Sequence, residues 1–164
     1  MKERISKKPV GFDNHNHNSC ISDALKTAEK YCATNGLQLT PVRRKVLTLL
    51  LTEHRALGAY AILDLLREAG FSSQPPVAYR ALDFLVHHGF VHKIERLNAF
   101  IACNDPREDH YPAFMICRIC DKIAESQSEI NKNSLAPVAS ATGFKIEQTV
   151  IEAEGSCPKC ETSV

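Results

Sequence analysis

The chain has 164 residues, of which 44% are apolar and 24% are charged, as expected for one ordinary globular domain or two small ones. The longest apolar runs are too short to span a bilayer, and no secretory signal follows Met1, so we expect a cytoplasmic protein with no membrane partner. Structural disulfides are rare in that compartment. The seven cysteines therefore point first to metal binding.

Charge is divided unevenly along the chain. Residues 1–97 contain 14 Lys and Arg and 9 Asp and Glu, a net charge of +5, whereas residues 98–164 contain 6 and 10, a net charge of −4. The first part is therefore suited to an anionic partner, although a difference of this size can also arise by chance.

The N-terminal part predicts a tail followed by helices. Residues 1–20 have almost no periodic apolar signal and predict a flexible tail, although His15, His17 and Cys20 could bind metal if the entropic cost of ordering them were met. Capping residues and glycine stops then predict four helices, which begin at Ser22, Thr40-Pro41, Gly58 and after Ser73.

Strand spacing begins after Gly89, at residues 90–95 and 99–103. Short helices closed by a β-hairpin are typical of a winged helix-turn-helix domain, which we assign to residues 21–103. The polar residues 104–112 predict a hinge.

A smaller domain is predicted at residues 113–164. Residues 113–117 and 122–125 predict strands on either side of a Cys-x-x-Cys pair, residues 128–142 a helix that Pro137 kinks or interrupts, and residues 144–154 a long strand. The predicted fold class is α+β. Because a domain this short can bury only a small core, we expect it to need a metal, a partner subunit or both.

Two Cys-x-x-Cys pairs lie in this domain, Cys117/Cys120 and Cys157/Cys160. A two-residue spacer turns both thiolates toward one point, and two such turns form the tetrahedral sulfur cage that zinc prefers. The alternative is two redox dithiols, which would need a helix N-terminus that the pattern does not predict at either pair. We therefore predict a structural zinc.

These motifs together make the chain recognisable. Residues 39–47 (LTPVRRKVL), residues 75–95 and both cysteine pairs resemble the ferric uptake regulator superfamily, most closely its zinc uptake regulator branch, from about Thr40 to Cys160. The resemblance implies a homodimeric repressor with a winged-helix DNA-binding domain, a hinge and an α/β dimerisation domain. Residues 77–80 read Val-Ala-Tyr-Arg where the family usually has Thr-Val-Tyr-Arg.

A sensing site must be looser than a closed sulfur cage. The candidate ligands around the hinge are His92, Cys103, His110 and Glu125, an acceptable tetrahedral zinc set that the resemblance also implies. Taken singly, they could be a wing surface residue, a buried small hydrophobe, a solvated linker residue and a strand-end charge. A thiolate favours zinc over iron or manganese. The expected cofactors are two zinc ions per chain, one structural and one regulatory.

DNA contacts are predicted on and near the fourth helix. Arg80 can bond bidentately to guanine and Tyr79 can contact a thymine methyl group or a phosphate. Tyr60 could contact DNA or be partly buried between helices. Arg43, Arg44 and Lys45 are candidates for sequence-independent phosphate contacts. A two-fold dimer implies double-stranded DNA with a pseudo-palindromic operator.

The predicted function is a zinc-responsive transcriptional repressor that controls zinc uptake genes, and not an enzyme. One alternative is an iron- or peroxide-responsive regulator of the same fold. Others are a zinc hydrolase with Glu125 as general base and a thiol-disulfide oxidoreductase.

Overall fold

The computed structural model describes residues 17–53, 55–72, 74–104, 106, 112–127, 135–147 and 149–162. The chain divides into two compact units, Asn14–Arg107 and a second unit that contains Glu108–Val164. Within the described residues, no helix is both long enough and apolar enough to cross a bilayer.

The first unit contains four helices and a small sheet. The elements, in chain order, are α1 (His17–Thr34), α2 (Pro41–Thr52), β1 (Leu57–Gly58), α3 (Ala59–Glu68), α4 (Pro75–His87), β2 (Val91–Ile94) and β3 (Ala99–Ala102). The sheet is antiparallel with the strand order β1-β3-β2. This architecture confirms the predicted winged helix-turn-helix fold, in which α3 and α4 form the helix pair and β2 and β3 the wing.

Sequence-local signals explain where these helices begin. The Thr40 hydroxyl accepts a hydrogen bond from the Arg43 backbone N–H at 3.4 Å, and Pro41 occupies the first turn of α2, where a missing N–H has no cost. Two prolines open α4 in the same way. Fully buried side chains of three helices then form the core, among them Val46, Leu50, Ile62, Leu66, Leu82 and Leu85.

Two features of this unit differ from the sequence prediction. Residues 17–20, assigned to the flexible tail, form the first turn of α1, which begins five residues before Ser22. Helical residues past Ser22 bury Ala28 and Cys32, and this packing stabilises the helix that continues N-terminally from them. The two-residue strand β1 was also not predicted, because so short a segment is a strand only through its pairing with β3. Residues 1–16 lie outside the described residues.

In the residues that the structure describes, the second unit contains a three-stranded sheet and two short helices. Its elements are β4 (Pro112–Cys117), β5 (Ile123–Gln127), α5 (Ala136–Thr142), β6 (Ile151–Gly155) and α6 (Pro158–Glu161). The strand order is β5-β4-β6, with β4 antiparallel to β5 and parallel to β6. Phe114, Ile116, Ile123 and Ala124 form its buried interior.

Three predictions for this unit were wrong. Pro112, placed in the hinge, is the first residue of β4. Pro137 lies in the first turn of α5, where proline is tolerated, and so it does not kink that helix. The predicted strand at 144–154 is a strand only at Ile151–Gly155, because β4 offers backbone partners only to those residues. Residues 128–134, predicted as the start of the helix, lie outside the described residues.

Candidate functional site

The four cysteines of the two pairs converge in the second unit. Cys117 ends β4 and Cys120 lies in the turn after it. Cys157 directly precedes α6, and Cys160 lies in that helix. The parallel pairing of β4 with β6 places Gly155 opposite Cys117, which brings the second pair to the first. A backbone hydrogen bond from Arg118 to the Gly155 carbonyl, at 2.9 Å, holds the two turns together.

The sulfur positions match a tetrahedral metal site. All four Sγ atoms lie within 4.8 Å of one another, and Cys120 Sγ and Cys157 Sγ are 3.8 Å apart. Four sulfurs at about 2.3 Å from one zinc ion stand about 3.8 Å from each other. The residues present therefore fit a structural zinc, which would tie the C-terminal residues to the sheet.

The pKa values of two thiols in this cage are shifted in opposite directions. The pKa of Cys117 is lowered to about 6, because the backbone N–H groups of Cys157, Cys120 and Ile119 hydrogen-bond to its sulfur. The pKa of Cys160 is raised to about 12 by its hydrogen bonds with the Cys157 and Cys120 sulfurs, to which burial adds. The clustered thiols therefore cannot all ionise readily without a cation, and a bound dication would replace their protons.

One argument used against redox dithiols was wrong. Cys157 is the N-cap of α6, so the second pair does lie at a helix N-terminus. That helix has only four residues, and its partial charge is correspondingly small. The convergence of all four sulfurs now supports the metal site in place of that argument.

Two predicted sensing ligands lie together in the first unit. His92 is in β2 and Cys103 directly follows β3, where its N–H donates to the Phe90 carbonyl at 2.9 Å. The His92 ring nitrogen and the Cys103 sulfur lie within 4.8 Å of each other. Cys103 is buried and His92 half-buried. An imidazole and a thiolate at this separation can bind one metal ion together.

The other two predicted sensing ligands belong to the rest of the chain. Glu125 lies in β5 of the second unit and is the one charged side chain that is buried among the described residues. A carboxylate in such a position requires a compensating partner such as a hydrogen-bond donor or a cation. His110 lies outside the described residues.

Residues predicted to read DNA are exposed. Tyr79 and Arg80 lie in the first half of α4 on its solvent side, away from the buried Ala78, Ala81 and Leu82. Tyr60, in the first turn of α3, has 72% of its surface exposed, so the alternative of partial burial between helices was wrong. These three side chains are available for contact with a duplex.

The basic residues of α2 have different environments. Arg43 Nη1 donates to the Gln38 carbonyl at 2.6 Å, and its guanidinium carbon lies 3.6 Å from the centre of the Phe84 ring. Arg44 forms an ion pair with Glu29 of α1. Lys45 is half-buried. A phosphate contact by Arg43 or Arg44 would therefore have to compete with an existing intramolecular partner.

Comparison with known proteins bears on this combination of winged helix, wing ligands and cysteine cage. The model of the ferric uptake regulator family matches residues 34–154. This chain belongs to that family. The match includes residues of both units and two of the four cage cysteines, Cys117 and Cys120, while Cys157 and Cys160 lie beyond its C-terminal boundary. The matched part of the chain also contains the helix-turn-helix, the wing, and the sensing candidates His92 and Cys103.

Individual relatives within the family are similar over most of the chain. The zinc uptake regulation protein of Escherichia coli (strain K12) is 41% identical over 139 residues, which are 84% of this chain and 81% of that protein. A solved zinc uptake regulator complexed with zinc and DNA is 40% identical, covers 87% of this chain and 96% of its own, and superimposes with a TM-score of 0.84. The crystal structure of holo XcZur is 38% identical over 85% of this chain and 98% of its own, with a TM-score of 0.78.

Sequence reasoning missed several contacts that this family member makes around α4. No functional role was predicted from the sequence for Tyr31, Phe84 or Phe90, and Glu29 was not predicted as a partner for Arg44. An aromatic residue at Phe84, four positions from His88 on one helix face, was the available signal. The other contacts join residues of α1 and α2 to each other, to α4 or to the residues that follow it, and residue spacing within one helix does not predict contacts between separate helices.

Proposed function

We propose that this protein is a zinc-responsive transcriptional repressor that binds operator DNA as a homodimer when zinc occupies a regulatory site, and so controls zinc uptake genes. A repressor acts in the compartment that holds the chromosome, so we place it in the cytoplasm. It acts by binding and not by catalysis.

The observation that carries the proposal is the pair formed by His92 and Cys103 on the wing of a DNA-reading domain. Their ligand atoms lie within 4.8 Å of each other, in the same unit that exposes Tyr79 and Arg80 on α4. A metal bound by wing residues is well situated to affect how the domain meets DNA. The thiolate favours zinc over iron and manganese, which argues against the iron- or peroxide-responsive alternative.

Two further ligands complete the proposed regulatory site, Glu125 from the second unit and His110 from the segment that joins the units. The burial of the Glu125 carboxylate supports this role, since a buried carboxylate is stabilised by a cation. With the structural zinc held by the four cysteines, the protein would bind two zinc ions per chain.

The proposed mechanism is a shift between populations of conformers. A zinc ion with ligands from both units restricts their relative orientation, and it favours whichever conformers bind it more tightly. If those conformers also present two recognition helices to two half-sites, zinc and DNA binding stabilise each other. We further propose that residues 17–103 act as the winged-helix DNA-binding domain, residues 104–111 as the hinge and residues 112–164 as the dimerisation domain.

Exposed apolar side chains in the second unit support the homodimer. Val138 in α5 has 62% of its surface exposed and Phe144 has 68%. Val138 and Phe144 are six residues apart in the chain, in α5 and just after it, and large exposed apolar side chains on a small domain are typical of a protein interface. A two-fold dimer would bind a pseudo-palindromic operator.

The test is DNA binding by the Cys103→Ser variant at buffered free zinc. A duplex selected from a random pool by the wild-type protein with zinc serves as operator, and parallel titrations use iron and manganese. We expect wild-type protein to bind at low free zinc. The variant should require a much higher zinc concentration while remaining folded, because a serine hydroxyl is a far weaker zinc ligand than a thiolate.

Cys20→Ser is the matched control, since Cys20 is exposed on α1 and belongs neither to the cysteine cage nor to the group that contains His92 and Cys103. This control should bind DNA with the zinc dependence of the wild type. Normal zinc dependence in Cys103→Ser would place the sensing site elsewhere. Loss of the response in Cys20→Ser would assign it to the N-terminal residues.

A further inference from the structure

Ring side chains form a continuous series of tilted and edge-to-face contacts at the C-terminal end of α4. The ring centres are 4.5 Å apart for Phe84 and His88, 5.7 Å for His88 and Tyr31, and 5.3 Å for Tyr31 and Phe90. The Arg43 guanidinium carbon, 3.6 Å from the centre of the Phe84 ring, adds a cation to it. We call these five side chains the aromatic stack. It joins α1, α2, α4 and the residue before the wing.

Arg43 contributes to the stack through the shape of its guanidinium as well as its charge. The planar group lies over Phe84 while Nη1 donates to the Gln38 carbonyl at 2.6 Å, which directs the group toward the ring. Arginine stacks on aromatic faces in this way, whereas the compact lysine ammonium does so less well. Arg43 is therefore engaged within the domain.

Tyr31 contributes from the opposite side. Its hydroxyl lies 3.4 Å from His88 Nδ1, and its ring meets Phe90 edge to face at 84°. His88 is the C-cap of α4, and the Phe90 carbonyl accepts a hydrogen bond from the Cys103 N–H at 2.9 Å. The stack thus fixes the end of α4 and the start of the wing against α1.

We propose that Arg43 and Tyr31 are positioning residues, which through the aromatic stack hold α4 in the orientation that lets Tyr79 and Arg80 reach base edges. The proposal rests on the proposed DNA-binding function. The thirteen residues of α4 span about 20 Å, so a tilt of about 5° at its C-terminal end moves its N-terminal end by about 1.7 Å. Recognition groups must be held within about 0.5 Å of their productive geometry, so a displacement of this size weakens base contacts.

The competing role for Arg43 is a direct phosphate contact. A phosphate contact contributes about 0.9 to the slope of log affinity against log salt concentration, and it contributes equally on any duplex. A positioning residue leaves that slope unchanged and acts mainly on the selected operator. The salt dependence therefore separates the two roles.

The experiment compares Arg43→Lys, Arg43→Gln and Tyr31→Leu with wild type on the selected operator and on a scrambled duplex, over a range of salt concentrations. Arg55→Lys is the matched control, because Arg55 is exposed and pairs with Glu53 at 3.5 Å. We expect the two Arg43 variants to lose about twofold to fivefold in operator affinity, the range given by one cation–π contact. Tyr31→Leu should also lose operator affinity, and all three variants should lose less on the scrambled duplex and keep the wild-type slope.

Hydrogen exchange on the zinc-loaded protein without DNA supplies the second measurement. We expect amides of residues 84–90 to exchange about twofold to fivefold faster in Arg43→Lys and as in wild type in Arg55→Lys. The proposal would be overturned if Arg43→Lys bound the operator normally while Arg43→Gln lost affinity equally on both duplexes and showed a smaller salt slope. Arg43 would then be a phosphate contact. Unchanged exchange in Arg43→Lys would overturn it independently of DNA. A wild-type protein that selects no duplex would instead overturn the proposed function.

Discussion

At the scale of single residues, the exposed side chains of α4 differ in kind from the basic residues of α2. Arg80 is exposed near the N-terminal end of α4, whereas Arg44 is paired with Glu29 and Arg43 lies over Phe84. An arginine in the first half of a recognition helix can bond to guanine O6 and N7 together. Arg80 is therefore the residue from which we expect sequence specificity.

Replacing Arg80 with alanine should cost about 1–3 kcal/mol on the selected operator and relax specificity at one base pair per half-site. Salt titrations on operator and scrambled duplex measure both effects. Arg44→Gln is the comparison, with about equal losses expected on both duplexes and a slope lower by about one. Equal losses for Arg80→Ala would reduce Arg80 to a phosphate contact.

At the scale of elements, His88 couples the end of α4 to α1. Burial lowers its pKa from 6.5, and the neighbouring His87 and Arg43 cations lower it further. The ring also contacts Phe84 and lies beside the Tyr31 hydroxyl. The folded protein therefore binds a proton at His88 less readily than the unfolded chain does.

It follows that acid destabilises the fold through His88. The free energy of unfolding is unaffected by this pKa shift above pH 6.5, the pKa in the unfolded chain. It declines as pH falls from 6.5 through the lowered pKa of the folded protein. Urea unfolding between pH 8 and pH 5 should show wild type losing more stability than His88→Gln on acidification. Parallel pH profiles for the two proteins would contradict a role for His88.

At the scale of the whole molecule, we expect the folding of the second unit to depend on the cysteine cage. Its sheet has three strands, and its last residues are tied to β4 at Cys117 and Gly155. Zinc binding in small domains supplies much of the folding free energy, with apparent values of about 10–16 kcal/mol in zinc-finger peptides. Loss of one thiolate should therefore unfold this unit.

We expect Cys157→Ser to lose the structural zinc, the folded second unit and the dimer, while Asn14–Arg107 keeps its helical core. Metal analysis should give two zinc ions per wild-type chain, of which a mild chelator removes one together with DNA binding. Circular dichroism and sedimentation then report the fold and the dimer of the variant. A folded, dimeric Cys157→Ser protein would contradict the structural role of the cage.

The sequence by itself determined much of this protein. Helix caps at Thr40 and the prolines of α4, the hydrophobic spacing of α2 to α4 and the change to strand spacing after Gly89 are local signals, and they predicted the winged helix. The two Cys-x-x-Cys turns predicted the metal cage, since the spacer alone aims both sulfurs of a pair.

Tertiary structure decided what depends on partners distant in the chain. The last strand is confined to Ile151–Gly155 because β4 pairs only there, and β1 exists only through β3. Arg43 and Arg44 looked alike as neighbouring cations, but Phe84 and Glu29 give them separate partners. Local sequence governs caps, turns and periodicity, whereas pairing across helices and strands is a property of the folded chain, because only folding brings these residues together.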